Sequence, residues 1–393
     1  MRHILLSIIL FLGFCLLTTL PANARTVVDM RGKAVEIPDN LTRIATIDDG
    51  FIEGVLTHLG KIDTVDVIGS WSMKRDYRYE FEAENGERWE HRGWNTMKFL
   101  HPWLDEKLCI NSPQGNAINF EALAASNPEV VVLRIGDCTV GAGNREAAIK
   151  TVNTIEALGL PLIVLYAPGW YRSADLSSMK EEGRVIGAMF GMEEKASALM
   201  EHLAATEQLI RERTADIPED RKTRVLYMGL NPNIRKQGGA GTTHGIDTPE
   251  SYIIESVAGA RNAFTGKGAG VPMSAEQIYA LDPDVILLPT SNGYHPPREL
   301  LEAPYFANLR ELRAVRERRV YAMPWSPMNC SRRVEYPLDM LIIAKAAYPD
   351  RFADISVYDF ACRFYQDVYG VDEETARKLR SHQLLDWMRD IHF

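Results

Sequence analysis

The sequence predicts an α/β protein of two lobes, each with a central parallel sheet flanked by helices, joined by a long interlobe helix and followed by a helical C-terminal extension. Apolar runs of strand length alternate with helical stretches in both halves, as in parallel sheets covered by helices. One segment also occurs twice, as NFEALAASNPEVVVL at 119–133 and as SAEQIYALDPDVILL at 274–288. Between the copies, residues 174–216 are mostly helix-forming. The repeat indicates one equivalent unit in each lobe, with a helical connector between them.

Residues 1–24 have the pattern of a secretory signal peptide. Arg2 and His3 precede an apolar stretch at 4–20, which ends before the sequence Pro-Ala-Asn-Ala. This stretch is at the short limit of what spans a bilayer, and Phe14 is too bulky to precede a lipidated cysteine. We therefore expect cleavage near Ala24 and export of a soluble protein.

The N-terminal lobe is predicted at residues 25–173. Strands are expected at 43–47, 66–70, 130–136 and 160–166, and helices at 51–60 and near 144–158. The loop at 71–115 is longer than most connections, which suggests a function or a helix of its own. Its segment WNTMKFLHPWL fits either a lid helix over a cleft or a stabilising insertion.

The interlobe helix is predicted at 174–216, with a kink or a split at Gly191. We expect Ser173 or Asp175 to cap this helix, and Pro218 follows its end. A connector of this kind is stiff. It favours small rocking motions of the two lobes over closure through a large hinge.

The C-terminal lobe is predicted at 217–345 and repeats the alternation of strands and helices. Its strands are expected at 224–230, at the end of the second repeat copy and at 318–324, with a helix near 249–258. Residues 346–393 form the C-terminal extension, which is expected to contain two or three helices. Its apolar positions recur at helical spacing, so they are expected to pack as core against the second lobe.

Charge and cysteine content narrow the possible functions. The formal net charge is −9, and the basic residues are scattered instead of forming one stripe, so nucleic acid is not an expected partner. No cysteine belongs to a CxxC pair, which argues against a zinc ribbon and a thioredoxin-type site. Export favours disulfides. Cys109 with Cys138 is the preferred pair because both flank strands of one lobe, the other pairings stay open, and Cys330 is a candidate free thiol.

Each copy of the repeat begins with an N-cap residue, Asn119 or Ser274, and carries a glutamate, Glu121 or Glu276, in the first helical turn. From the residues alone, these glutamates could simply stabilise the positive ends of their helices. The two repeat copies occur together with TVVDMRGKAVEIPDNLTRIATI, the long connector and NLRELRAVRERRVYAMP. This combination resembles the helical-backbone periplasmic substrate-binding proteins of ABC importers, the class that serves ferric siderophores, haem and cobalamin.

The resemblance implies a function, a location and partners. It implies a monomeric periplasmic protein that captures an iron chelate, such as a siderophore or haem, or a related macrocycle between its lobes. It also implies that Glu121 and Glu276 dock into arginine pockets of a membrane permease, which connects the protein to an ATPase. No cofactor is implied, since iron would arrive as part of the ligand.

The ligand is expected at the carboxyl ends of the strands, where open parallel sheets bind their ligands. The loops at these positions are rich in tryptophan, tyrosine and arginine. Rings that stack and guanidinium groups that pair with oxygen atoms suit a flat, anionic ligand. The candidate ligand contacts are Trp71, Arg78, Trp170, Tyr171, Arg172, His244, Tyr294, His295, Trp325, Arg332 and Arg333.

Other functions are less well supported by the sequence. His244 and His295 are candidates for direct metal ligation, but the histidines lack the tight spacing of dedicated metal sites, so a metal site stays undefined. HExxH and GxSxG motifs are absent, and GKGAG at 266–270 lacks the Lys-Ser/Thr ending of a phosphate loop, so no enzyme is predicted. Two alternatives stay open. One is a receptor for a free or small-chelate metal ion, and the other is a sensory or scavenging protein without a permease.

Overall fold

A computed structural model describes residues 24–74, 76–112, 115–141, 144–171, 175–291, 295–325 and 333–393. Within these ranges, no helix is long and apolar enough to cross a bilayer. Several sequence predictions fall outside the described residues, namely residues 1–23 of the signal peptide, Ser173 as a helix cap, Cys330 as a thiol, and Arg172, Tyr294 and Arg332 as ligand contacts.

The described elements alternate along the chain as the sequence predicts. The strands are β1 (Ala24–Val28), β2 (Ala34–Pro38), β3 (Ile44–Ile47), β4 (Val65–Ile68), β5 (Tyr77–Glu82), β6 (Arg88–Gly93), β7 (Leu108–Cys109), β8 (Asn111–Ser112), β9 (Gly115–Ile118), β10 (Val130–Ile135), β11 (Leu162–Tyr166), β12 (Arg224–Gly229), β13 (Gly241–Thr243), β14 (Arg261–Asn262), β15 (Val271–Met273), β16 (Val285–Leu288) and β17 (Val320–Ala322). The helices are α1 (Phe51–Leu59), α2 (Thr96–Leu100), α3 (Phe120–Ser126), α4 (Arg145–Ala157), α5 (Ser178–Ala188), α6 (Glu193–Thr214), α7 (Pro232–Lys236), α8 (Pro249–Tyr252), α9 (Ala275–Leu281), α10 (Pro297–Glu302), α11 (Arg313–Arg316), α12 (Tyr336–Ala347), α13 (Val357–Tyr369), α14 (Glu373–His382) and α15 (Trp387–Asp390).

The N-terminal lobe contains a five-stranded sheet in the order β11-β10-β3-β4-β7, and each neighbouring pair is parallel. Every residue of β3 and β10 is buried. Successive side chains of β10 point to opposite faces. Val130 and Val132 enter one apolar core, whereas Val131 and Leu133 enter another. Helices therefore cover both faces of the sheet, which explains why its strands read as continuous apolar runs.

The C-terminal lobe has a parallel centre with an antiparallel ribbon at one side. Strands β14, β12, β16 and β17 are parallel, whereas β13 and β15 join as antiparallel strands beyond β12. The mixed α/β fold with parallel central sheets agrees with the sequence prediction, and the antiparallel ribbon was not predicted. The ribbon strands have only three residues each, which is too short for a recognisable alternation.

The connector consists of two helices packed side by side. Gly191 has a φ of 64°, a left-handed conformation that ends the first helix, and the second helix begins at Glu193. A Cβ atom at Gly183 would lie 2.6 Å from Met200, so α5 and α6 approach closely. The 22 residues of α6 span about 33 Å at the normal rise of an α-helix.

Both repeat copies form the predicted helix-to-strand unit. The Asn119 side chain accepts a hydrogen bond from the backbone N–H of Ala122 at 2.9 Å and so caps α3. Ser274 caps α9 through a reciprocal capping box with Gln277. Each helix ends at a left-handed residue, Asn127 or Asp282, before the buried strand begins. The same local chemistry therefore builds the same unit once in each lobe.

The C-terminal extension contacts both lobes, whereas the sequence predicted packing against the second lobe. Helix α13 lies against α1, where the ring Nδ1 of His58 is 2.7 Å from the carbonyl oxygen of Val368. The last residue, Phe393, has its ring 5.1 Å from that of Tyr321 on β17. The prediction was incomplete because helical spacing shows that a face is buried but does not show what covers it.

The predicted Cys109–Cys138 disulfide is wrong. Cys109 is a free thiol on β7, whereas Cys138 is disulfide-bonded. Strands β3 and β4 lie between β7 and β10, which places the two cysteines about three strand spacings, or roughly 14 Å, apart. A disulfide cannot span that distance. Cys362 is also free, so the partner of Cys138 lies outside the described residues.

Candidate binding cleft

The parallel sheets of the two lobes define the candidate cleft by the carboxyl ends of their strands, where ligands bind in open α/β sheets. On the N-terminal side, the relevant loops follow β3, β4, β10 and β11. On the C-terminal side, they follow β12, β16 and β17. These are the loops that the sequence analysis nominated. The described part of them contains two kinds of side-chain arrangement, a buried cluster of charged groups and an aromatic group.

The charged cluster is centred on Arg134, which is fully buried on β10. Its guanidinium forms two hydrogen bonds with Glu182 of α5, at 2.5 and 3.0 Å, and lies 3.5 Å from a carboxylate oxygen of Asp48. It also stacks over the ring of Phe51 at 4.3 Å. Burial raises the pKa of Glu182 to about 7, although the positive charge of Arg134 opposes the rise. The pair links the central strand to the connector.

Sequence reasoning missed Arg134, although a signal was present. A single arginine interrupts the otherwise apolar run VVVLRIG at 130–136. A charged side chain on a strand that is buried on both faces must meet an opposite charge, because an isolated charge is very costly to bury. The position therefore predicts a buried ion pair, but the sequence does not show that Glu182 is its partner.

Arg333 joins the end of the C-terminal lobe to the first loop of the N-terminal lobe. Its Nε donates to the carbonyl oxygen of Asp49 at 2.6 Å, and its Nη2 donates to the Asp49 carboxylate at 2.9 Å. Ser70 and Ser72 donate to the other oxygen of that carboxylate. Gly50 has a φ of 110°, and a Cβ atom there would lie 3.1 Å from the Arg333 Nε. Glycine therefore permits both the turn and the approach of Arg333.

Three further carboxyl groups complete the cluster. Asp48 accepts a hydrogen bond from the backbone N–H of Ile52 at 2.8 Å, and Asp137 accepts one from Thr139 at 2.8 Å. Burial and the charge of Asp48 raise the pKa of Asp137 well above its ordinary value. Burial also raises the pKa of Glu53 to about 8. The hydroxyl of Thr46 opposes this rise in the pKa of Glu53. Both shifts favour the protonated forms of Glu53 and Asp137.

The aromatic group lies at the carboxyl end of β11. The rings of Tyr166 and Trp170 stack with centroids 5.0 Å apart and planes inclined by 7°. Arg145 of α4 covers Trp170 at 4.1 Å and donates to its carbonyl oxygen at 2.6 Å. Tyr171 is 41% exposed and lies edge-on to Tyr166. The predicted ligand contacts Trp170 and Tyr171 thus belong, with Tyr166, to one group of rings that we call the aromatic ledge.

Trp71, another predicted ligand contact, lies in the loop after β4 and is half-buried.

Two other residues that were predicted to contact the ligand are buried and pack within the protein. Trp325 is only 2% exposed and packs in the core of the C-terminal lobe. His295 is fully buried, with Nδ1 2.8 Å from Glu299 and Nε2 2.9 Å from the carbonyl oxygen of Ser291. Both ring nitrogens are therefore engaged. Sequence reasoning assigned these residues to the cleft because they follow strands, but position along the chain does not reveal burial.

Arg78 and His244 also have protein partners. Arg78 is exposed on β5 and pairs with Glu90 at 2.9 Å. His244 lies 3.3 Å from the carboxylate of Glu250 and edge-on to the ring of Tyr227. Neither arrangement is that of a metal site. Across the described ranges, no group of three or more histidine, cysteine, aspartate or glutamate side chains is positioned to hold a metal ion.

The two repeat glutamates have the same structural setting. Glu121 and Glu276 are exposed in the first turns of α3 and α9. A hydrogen bond from the Ser274 side chain lowers the pKa of Glu276. No ion pair with either carboxylate occurs among the residues that the structure describes. Both negative charges are therefore available at equivalent positions of the two lobes.

Comparison with known proteins agrees with this architecture. Residues 95–327 match the family described as periplasmic binding protein. The match covers more than half of the chain, and the chain belongs to this family. It is thus the periplasmic solute-binding component of an ABC importer, a class of protein that binds its solute without catalysing a reaction.

Individual relatives are distant in sequence. The molybdate-binding protein MolA of Haemophilus influenzae is 21% identical over 390 residues, covering 91% of this chain and 96% of MolA. The structure of a periplasmic solute-binding protein from Veillonella parvula has 21% identity and a TM-score of 0.71, covering 94% of this chain and all of that chain.

Two similar structures are of proteins with a known ligand. Helicobacter pylori CeuE, solved as a Ni-His complex, has 19% identity and a TM-score of 0.61, covering 91% of this chain and 99% of that one. A periplasmic haem-binding protein from Pseudomonas aeruginosa has 18% identity and a TM-score of 0.53, covering 79% and 93%. At these identities the likeness shows the fold.

Proposed function

We propose that the cleft captures an iron chelate, such as a ferric siderophore or haem, or a related macrocycle, and delivers it to the membrane permease of the importer. The observation that carries this proposal is the aromatic ledge of Tyr166, Trp170 and Tyr171, with Arg145 over Trp170. Tyr171 is 41% exposed beside the stacked pair and offers ring surface to a ligand, and the arginine adds positive charge. Flat chelates with acidic edges match this combination.

A second candidate is a small metal chelate or metal oxyanion. It is supported by the likeness to MolA, which is named for molybdate, and to CeuE in its Ni-His complex. Direct binding of a metal ion by the protein would need several suitable side chains close together. The described ranges contain no such group, which favours a ligand that arrives with its own chelator.

Equilibrium binding to the purified mature protein tests the choice between these candidates. Haem, cobalamin, ferric catecholate and ferric hydroxamate siderophores, nickel with histidine, and molybdate are titrated while tryptophan fluorescence is followed. We expect saturable quenching by one chelate or macrocycle at micromolar concentration or below. Binding of molybdate or nickel-histidine alone would support the second candidate and contradict the first.

Trp170→Ala is expected to weaken binding of the selected chelate about tenfold, since one aromatic contact contributes about 1.4 kcal/mol. The same fluorescence titration measures this change. Phe360→Ala is the matched control because Phe360 is another partly buried ring, located on α13, away from the cleft. Equal affinities for wild type and Trp170→Ala would show that the ledge does not contact the ligand.

Glu121 and Glu276 are proposed to carry the contact with the permease. The double charge reversal Glu121→Lys, Glu276→Lys is expected to leave ligand affinity unchanged and to reduce uptake through the cognate importer by more than tenfold, because both exposed carboxylates become cations. Uptake of labelled ligand into cells measures this. Glu146→Lys is the control, since Glu146 is also an exposed glutamate in the first turn of a helix, α4. Undiminished uptake in the double variant would favour a sensory or scavenging protein.

A further inference from the structure

We propose that the hairpin β5–β6 is an interlobe clasp that fixes the angle between the lobes and thereby positions the two walls of the cleft. The hairpin belongs to the N-terminal half of the chain, because it lies in the insertion between β4 and β7. Its apolar side chains nevertheless pack into the core of the C-terminal lobe. The effect of the clasp on ligand binding rests on the proposed function, whereas its effect on lobe geometry does not.

The tip region of the hairpin is anchored by a cross-strand aromatic pair. Phe81 on β5 and Trp89 on β6 are directly opposite each other, with ring centroids 6.4 Å apart. Phe81 is only 5% exposed and is part of the same apolar cluster as Leu288 of β16 and Phe306. Trp89 packs against that cluster as well. The hairpin is therefore built into the second lobe instead of lying on its surface.

The end of the hairpin makes a second close contact with that lobe. A Cβ atom at Gly93 would lie 2.8 Å from Cδ1 of Trp325, closer than side-chain atoms normally approach. The backbone N–H of Trp325 donates to the carbonyl oxygen of Gln383 at 2.9 Å. Trp325 follows β17, one of the strands whose carboxyl end faces the cleft. The hairpin and the C-terminal extension together thus fix the position of the segment that follows β17.

Polar contacts also hold the hairpin against the C-terminal lobe. Arg298 of α10 pairs with Glu87 at 2.9 Å and stacks over Trp89 at 3.8 Å. Arg310 pairs with Glu84 at 2.7 Å, and the backbone N–H of Glu84 donates to the carbonyl oxygen of Glu302 at 3.1 Å. Exposed ion pairs contribute little stability individually. Together they hold the tip of the hairpin against α10 and the segment that follows it.

The other end of the insertion is fixed in the first lobe. Asn95 caps α2 by accepting a hydrogen bond from the backbone N–H of Met97 at 2.8 Å. The Met97 side chain is 1% exposed and lies in the large core that contains Phe51 of α1. The segment WNTMKFLHPWL, which could have been a lid helix, therefore anchors the base of the hairpin in the first lobe. Rigid ends in both lobes are what a clasp requires.

The clasp adds to the other connections between the lobes. These include α6, the contact between Arg333 and Asp49, and the C-terminal extension, which contacts both lobes. Elements joined at several separate places cannot rotate freely about any one of them. We therefore expect a cleft that is largely formed before the ligand arrives, with the clasp deciding its width.

Distance measurements between the lobes test this proposal. Spin labels are attached through unnatural amino acids at Asn153 and Arg316, which are exposed on α4 and α11, because the native thiols Cys109 and Cys362 would react with ordinary labels. The wild type should give one narrow distance distribution. Phe81→Ala and Gly93→Ala should broaden it, since the first removes the anchor and the second displaces Trp325. Arg88→Ala should not, because Arg88 is exposed and pairs with Glu80 of the same hairpin.

Ligand kinetics provide the functional readout. With haem and a ferric catecholate siderophore as probes, we expect at least tenfold faster dissociation from Phe81→Ala and Gly93→Ala than from wild type and Arg88→Ala. Adding Trp325→Leu to Gly93→Ala should partly restore the narrow distances, because the smaller side chain makes room for the new methyl group. If thermal stability falls while distances and dissociation rates stay unchanged, the hairpin is only a structural insertion. If the wild type binds neither probe, these two ligands are excluded from the proposed function, and the distance measurement still decides the clasp.

Discussion

Arg134→Met is expected to lower the free energy of unfolding by about 3–5 kcal/mol at pH 8. The substitution leaves the carboxylates of Glu182 and Asp48 buried without the guanidinium that they face at 2.5 and 3.5 Å. Urea unfolding followed by far-ultraviolet circular dichroism measures the loss. At pH 5 we expect a smaller loss, because the freed carboxyl groups can take up protons.

The control for this prediction is Arg184→Met. Arg184 and Glu181 form an exposed pair on the same connector helix that supplies Glu182, with both side chains 46% exposed. Exposed pairs contribute less than about 1 kcal/mol. A similar small loss in both variants would contradict the interpretation that the buried pair holds the sheet and the connector together.

The stability that Glu53 and Glu182 contribute to the wild type is expected to fall as pH rises from about 5 to 8. Burial raises the pKa of Glu53 from 4.5 to about 8 and that of Glu182 to about 7. A carboxyl group with a raised pKa in the folded protein holds its proton more tightly there than in the unfolded chain. Its contribution is therefore fully present below the unfolded value and is lost as pH rises through the folded value. Each such group makes the free energy of unfolding decrease with rising pH within its window.

Glu53→Gln tests the pH range assigned to Glu53, which is wider than the range assigned to Glu182. The amide has the shape of the protonated carboxyl group and does not titrate, so the variant should match wild type near pH 5 and exceed its stability at pH 8. Urea unfolding at intervals of half a pH unit gives the comparison. Glu146→Gln serves as an exposed control. Identical pH slopes in wild type and Glu53→Gln would show that Glu53 does not titrate in this window.

Local sequence signals were sufficient for the parallel sheets, the repeated unit and the connector. The strands β3, β10 and β16 are buried on both faces, so each one is a mostly apolar run in the sequence. A surface strand would instead alternate apolar and polar residues. The N-caps at Asn119 and Ser274 identified the beginning of the repeat helix in each lobe. Gly191 marked the break in the connector. All of these features depend on neighbouring residues, so they can be read from one chain.

The arrangement of the cleft depended on contacts between distant residues, which local patterns do not show. Arg333 and Asp49 are 284 positions apart, yet they join the lobes. His295 followed a strand as a cleft residue would, but Glu299 and Ser291 hold it in the interior. Trp325 became a core residue because Gly93 of the clasp hairpin approaches it. Tryptophan and arginine content nominated candidate binding loops, but only packing decides which of these side chains face outward.

Ligand capture between the lobes is tested most directly by a crystal structure of the mature protein with the chelate or macrocycle that binds most tightly in the titration. We expect ligand density at the carboxyl ends of the two parallel sheets, with a flat part of the ligand against Trp170 or Tyr171. Density at another place would contradict it. One such place is the cavity of about 620 Å³ between Trp89 of the hairpin and Trp387 of α15, and a ligand there would assign solute binding to a different part of the protein.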